Sequence, residues 1–244
     1  MAARFMRSDR DYSAWIVGAV LLVVLTGFSR SFFLRPLFGA APDWAAREPI
    51  FYLHGTVFSA WFAVLAVQTY LVRAGALRLH RRSGYAAAAL GAGVVVLGTY
   101  ASLRAANRPG GFMDVPVPAV QFLAVPLVEI ALFAVFLGLA VLQRNRPASH
   151  KRLILLASID LLGAAIARIP LMMPILPIWI DTIVYAAFIA AMAAWDLDSG
   201  RRLRPETLWG GAALIGGNFA APFLGATDAW QAAGHWMMSL TGPP

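Results

Sequence analysis

The chain has 244 residues, of which 60% are hydrophobic and 13% charged, whereas a soluble domain carries about a quarter charged residues. This composition excludes an ordinary soluble domain and is typical of an integral membrane protein. The lack of cysteine excludes disulfides, thiolate metal sites, iron–sulfur clusters and covalently attached c-type haem.

Seven apolar segments follow along the chain, each long enough to cross a hydrocarbon core of about 30 Å. The first follows a basic stretch and is too long for a signal-peptide core, so we expect an uncleaved span. Pro126 is expected to kink the fourth segment, and IPLMMPILP to form a tight turn between the fifth and sixth. The seventh is rich in glycine and contains Asn218 and Pro222, so a re-entrant or interfacial segment is the alternative there. The predicted spans are 14–33, 50–72, 84–103, 117–142, 153–171, 176–195 and 208–225.

These segments predict one all-α, polytopic transmembrane helix bundle that covers residues 1–244 as a single domain. The basic residues indicate its orientation, because 14 of the 20 Lys and Arg residues lie in loops on one side and five on the other. The side richer in basic residues is cytoplasmic. The amino terminus is therefore predicted in the cytoplasm and, after seven spans, the carboxyl terminus outside.

The net charge of +8 lies in short clusters between the apolar segments. The chain lacks the aromatic and basic stripe that binds single-stranded nucleic acid. We therefore expect the lipid bilayer of a bacterial inner membrane as its surroundings and no nucleic-acid partner.

Two of the four histidines occur in the same His-basic-Arg triplet, His80 in RLHRRSGY and His150 in SHKRL. Both are predicted at the cytoplasmic ends of parallel helices, whereas His54 and His235 are predicted on the outer side. Two neutral imidazoles from neighbouring helices are the ligands of six-coordinate haem b in electron-transfer proteins. The haem propionates need cationic neighbours, and the candidates are Arg81, Arg82, Lys151 and Arg152.

A second interpretation of the triplets needs no cofactor. A His-Arg-Arg sequence at a cytoplasmic helix start is also an anchor for anionic lipid headgroups. Zinc is less attractive than haem for either histidine pair, because no third ligand lies nearby in the sequence.

Three stretches, LHGTVFSAWFAVLAVQTYLV, LHRRSGYAAAALGAGVVVLG and HKRLILLASIDLLGAAIARIP, resemble a group of uncharacterised bacterial multi-pass membrane proteins. More distantly, the histidine placement is similar to that of the two-haem transmembrane cytochromes b that take electrons from ascorbate or a comparable donor. The resemblance implies that His80 and His150 ligate a cytoplasmic-side haem and that His54 belongs to an outer one. Gln121 stands where that family has its fourth histidine, so an outer haem requires His235 as its second ligand.

Four charged residues fall within the apolar segments, namely Glu129, Asp160, Arg168 and Asp181. Intramembrane charges are costly and normally face the interior of the bundle. Arg168 and Asp181 are expected to form an ion pair, since both lie toward the outer side on consecutive spans. The charges either pair to hold the helices together or form a proton path or polar ligand cavity.

The leading functional hypothesis is a haem b protein, a transmembrane oxidoreductase that carries electrons to or from a quinone or small reductant. A haem-free carrier or receptor for a small apolar or anionic ligand is the second hypothesis. The third is an accessory subunit that works with partner subunits of a larger membrane complex.

Overall fold

The computed structural model describes residues 9–38, 48–112, 115–169, 180–200 and 202–242, and the regular structure in these residues is entirely helical. Short helical turns cover Ser29–Phe33, Arg35–Phe38 and Gly163–Ile166. The longer helices are α1 Asp9–Gly27, α2 Pro49–Arg73, α3 Leu77–Ala106, α4 Ala119–Leu142, α5 Pro147–Asp160, α6 Ile180–Gly200, α7 Pro205–Gly225 and α8 Asp228–Ser239.

Each of the seven predicted spans overlaps one of the helices α1 to α7. Among the described residues, α2, α3, α4 and Ile180–Asp198 of α6 are long and apolar enough to cross a membrane. The third helix begins at Leu77 rather than at the predicted Gly84, so His80 lies in its first turn. The helix α8 was not predicted. The predicted turn IPLMMPILP lies largely outside the described residues.

Local sequence explains where several helices begin and where one is interrupted. The helices α2, α5 and α7 each begin with proline, whose missing N–H costs nothing in a first helical turn. Gly75 has a φ of 75° in the short connection between α2 and α3, a conformation that glycine adopts without steric cost. Within α4 the helix is interrupted at Leu123, one turn before Pro126, which has no N–H for a helical hydrogen bond.

The fifth helix is the centre of the bundle. Every residue from Leu155 to Gly163 is buried, and α5 contacts α1, α4, α6 and α7. A helix that is enclosed on all sides needs no polar face. Polar side chains on α5 are therefore held inside the protein rather than at its surface, and this applies to Arg152, Ser158 and Asp160.

Glycines allow the closest helix contacts. A Cβ at Gly27 of α1 would overlap the backbone of Ala165, and a Cβ at Gly225 of α7 would overlap the backbone oxygen of Gln121. Small residues at such points let helix backbones approach one another, which is the common mode of helix packing in membranes.

A buried ion pair joins α5 to α6 and α7. The guanidinium of Arg152 donates to the Asp196 carboxylate, with Nε 2.9 Å from Oδ1. The other carboxylate oxygen accepts from Thr207 Oγ1 at 2.6 Å and from the backbone N–H of Arg204 at 3.1 Å. The exposed fractions of Arg152 and Asp196 are 3% and 1%, so this network is a structural connection in the protein interior.

Candidate functional site

The structure brings His80 and His150 together. His80 lies in the first turn of α3 and His150 in the first turn of α5, and their ring centroids are 6.4 Å apart at an interplanar angle of 76°. The two helices therefore begin at the same end of the bundle, as the basic residues predicted. The residues that the chain repeats as a triplet form one candidate site.

The ring of His150 is held in a defined orientation. Its Nδ1 lies 2.8 Å from the backbone oxygen of Ala140 in α4. A carbonyl oxygen only accepts, so Nδ1 carries the proton and the lone pair of the neutral ring is on Nε2. A hydrogen bond of this kind is what orients metal-ligating histidines in proteins.

The spacing of the two rings suits one shared metal ion. Two imidazole–metal bonds of about 2 Å, with roughly 1 Å from each nitrogen to its ring centre, separate ring centroids by about 6 Å. Within the described residues, no group of three or more His, Cys, Asp or Glu side chains is arranged to hold a metal ion. A pair of imidazoles fits a cofactor that takes two axial ligands better than it fits zinc, which takes three or four protein ligands.

The basic residues beside the histidines differ in what they contact. Arg81 and Arg82 are exposed, and Lys151 is half-buried. Arg152 is buried against Asp196 and also donates to the backbone oxygen of Ala148 at 2.9 Å. Its guanidinium is therefore engaged in the bundle interior, and the exposed Arg81 and Arg82 are the better cationic candidates for a propionate.

The other two predicted ligands lie in different surroundings. The half-buried ring of His54 packs on Phe58 at a centroid distance of 4.1 Å, whereas His235 is exposed on α8. Gln121 is half-buried, and its backbone oxygen packs against Gly225. The ring contacts of the described residues do not include a His54–His235 pair, so an outer haem stays a prediction without geometric support.

A polar cluster lies inside the bundle, around Asp160 of α5. Asn218 of α7 donates through Nδ2 to Asp160 Oδ1 at 3.0 Å, and the Tyr185 hydroxyl of α6 donates to the Asp160 backbone oxygen at 3.0 Å. Glu129 of α4 lies beside them, because a Cβ at Gly163 would overlap its carboxylate and come within 2.9 Å of the Tyr185 oxygen. Side chains from four helices thus meet at one point.

The predicted ion pair of Arg168 with Asp181 is absent from the described contacts. Arg168 donates to the Ala164 backbone oxygen at 2.6 Å, and its guanidinium lies 5.2 Å from the ring centroid of Phe28. Asp181 accepts from the backbone N–H of Thr182 at 2.8 Å, in the first turn of α6. The electrostatic partner of Arg168 on a neighbouring helix is Glu129.

Sequence reasoning did not assign a role to several of these polar residues. Tyr185 lies within the sixth predicted span and Asp196 directly follows that span, but only Asp181 was singled out there. Asn218 was considered only as a feature that weakens the seventh span. A lone amide, carboxyl or phenol in an apolar segment is itself a signal, because each needs a partner in the bundle.

Comparison of the chain with protein-family models, with curated proteins and with solved structures finds no match. The geometry of the histidine pair and of the polar cluster therefore carries the functional argument.

Proposed function

We propose that the chain is a bacterial inner-membrane protein that binds one haem b between His80 and His150 and exchanges electrons with a quinone or small reductant. The observation that supports this is the 6.4 Å separation of the two rings. His80 and His150 would be the two protein ligands of the haem, and the haem would supply reversible one-electron chemistry.

The convergence of the two rings favours a ligand pair over two separate lipid anchors. Lipid anchors act through exposed basic groups at the headgroups, and such groups gain nothing from facing one another. Here His150 Nδ1 lies within hydrogen-bond distance of the Ala140 oxygen of α4, and the ring centroid of His80, on a third helix, lies 6.4 Å from that of His150. Three helices thus contribute to the placement of one imidazole pair.

The chain's own residues would act on such a cofactor in two ways. The Ala140 carbonyl holds the His150 tautomer and strengthens Nε2 as a ligand. The exposed guanidinium groups of Arg81 and Arg82 supply positive charge for the propionates.

The same proposal includes seven membrane crossings with a cytoplasmic amino terminus. The helices α1, α5 and α7 would cross along with α2, α3, α4 and α6, which contain the four segments that are long and apolar enough to span a membrane. The enclosed position of α5 supports this, because a helix surrounded by α1, α4, α6 and α7 runs through the bundle rather than along its surface.

The test is the reduced-minus-oxidised visible spectrum of protein purified from cells with ample haem supply. We expect one haem per chain in the wild type and in His235→Ala, whose side chain is exposed on α8. His80→Ala and His150→Ala are expected to lose the bound haem while eluting as folded protein on size exclusion. A His80→Gly variant is expected to regain the spectrum when free imidazole is added.

Two results would overturn the proposal. The first is colourless wild-type protein from haem-replete cells, and the second is undiminished haem in His80→Ala or His150→Ala. Loss of one of two haems in His54→Ala would instead add an outer site to the inner one.

A further inference from the structure

The polar cluster around Asp160 contains acceptor atoms that no described donor fills. Asp160 is 0% exposed and Asn218 7% exposed. The Asn218 amide nitrogen donates to Asp160 Oδ1 at 3.0 Å and to the Leu214 backbone oxygen at 2.9 Å. The Asp160 Oδ2 and Asn218 Oδ1 atoms are both buried without a hydrogen-bond partner among the described residues.

Unfilled acceptors at this depth require an explanation. Buried polar atoms in folded proteins are nearly always hydrogen-bonded, because an acceptor without a donor in an apolar interior is destabilising. A carboxylate oxygen and an amide oxygen can only accept. Asp160 Oδ2 and Asn218 Oδ1 therefore need a hydrogen-bond donor, which is either a proton on the carboxyl group or a small donor molecule.

The hydrogen bond of Tyr185 shows that its proton is not shared with either carboxyl group. A phenol has a single proton, and Tyr185 donates it to the Asp160 backbone oxygen at 3.0 Å. The Glu129 carboxyl lies beside the phenol oxygen, because a Cβ at Gly163 would overlap Glu129 Oε1 and come within 2.9 Å of that oxygen. Each of the two carboxyl groups is therefore neutral only when it carries a proton of its own.

The groups that face this pair include further charges. Asp160 and Glu129 interact electrostatically with one another, and so do Glu129 and Asp181 of α6. Arg168 is the cation that interacts with Glu129, and it also interacts with His54 on α2. Carboxylates outnumber the cation at the cluster, and unpaired charge is costly inside a membrane.

We propose that Glu129 and Asp160 form an intramembrane proton-binding site whose proton exchanges with water. The Asn218 amide orients the Asp160 carboxyl group, and the Tyr185 hydroxyl lies beside the Glu129 carboxyl group. Arg168 interacts electrostatically with Glu129 and is itself exposed, so in this proposal the proton reaches water on the side of Arg168. In the opposite direction along α5, the fully buried Leu156 and Ile159 close the interior. The site does not depend on a haem at the histidine pair.

The test is infrared spectroscopy of the full-length protein in lipid nanodiscs at neutral pH, in water and in deuterium oxide. We expect a carbonyl stretch of a protonated carboxyl group that shifts to lower frequency in deuterium oxide. The band is expected to be lost or to move in Glu129→Gln and in Asp160→Asn. The control is Asp198→Asn, an exposed carboxyl at the end of α6, and it should leave the band unchanged.

Several outcomes would overturn the proposal. They are the absence of the band at neutral pH, a band unaffected by either variant, and a band that does not shift in deuterium oxide. Replacement of sodium by potassium in the buffer is expected to have no effect, and a band that appears only without sodium would assign the site to a monovalent cation instead. If Asp160→Asn does not fold, Glu129→Gln provides the same comparison.

Discussion

Removal of Asp196 is the sharpest test of how the bundle is held together. In Asp196→Ala the buried Arg152 guanidinium loses its counter-charge, and the Thr207 hydroxyl and the Arg204 N–H lose the acceptor they share. All of these contacts join α5 to α6 and α7. The perturbation therefore acts on the central helix and two of its neighbours at once.

The expected cost follows from the burial of the pair. Arg152 and Asp196 are 3% and 1% exposed, so solvent does not replace the missing partner. Breaking a buried ion pair by removing one side costs about 3–5 kcal/mol. A loss of about 4 kcal/mol changes the unfolding equilibrium constant roughly a thousandfold.

Reversible unfolding in mixed micelles, with increasing SDS, measures this change in the free energy of unfolding. The matched control is Asp198→Ala on the same helix, which is exposed and should stay within about 0.5 kcal/mol of wild type. The double variant Arg152→Leu with Asp196→Leu removes both charges and is expected to be more stable than Asp196→Ala alone. The reasoning is refuted if Asp196→Ala matches the control, or if the two substitutions contribute independently.

Two further predictions concern helix contacts and a helix end. Gly27→Ala is expected to lower the free energy of unfolding by about 1–3 kcal/mol in the same assay, because the added methyl group overlaps the backbone of Ala165. The control is Gly18→Ala, which has nothing within 4 Å of the new Cβ and should not destabilise the protein. Thr227→Ala removes the side-chain acceptor for the Trp230 N–H at the start of α8. Amide hydrogen exchange in the first turn of α8 should then become faster by an amount that corresponds to about 1 kcal/mol. Ser239→Ala, at the other end of α8, should leave that exchange unchanged.

The histidine pair shows how much of the candidate site could be predicted from the sequence. The triplets at His80 and His150, together with the distribution of basic residues, predicted that both rings lie at the same end of two helices. That the two ring centroids lie 6.4 Å apart, and that the Ala140 carbonyl sets the tautomer of His150, depends on how α3, α4 and α5 pack. Helix packing is a non-local property, and one sequence does not reveal it.

The charged residues also show that one sequence does not reveal which side chains are in contact. The sequence indicated that Glu129 and Asp160 face the interior, because charge is too costly in contact with lipid. It did not indicate their partners Tyr185 and Asn218, and it paired Arg168 with Asp181, whereas the structure shows Arg168 with Ala164 and Phe28.

The sequence by itself determined that the protein is all-helical and where its long apolar helices lie, because hydropathy and proline positions act over one segment at a time. Only the tertiary structure decided that α5 is the central helix, that Arg152 is buried in an ion pair with Asp196, and that α8 follows the last predicted span. The physical reason is that an apolar segment satisfies its own backbone hydrogen bonds in any position within a membrane. The shapes and polar groups of the other segments determine which helices pack beside it.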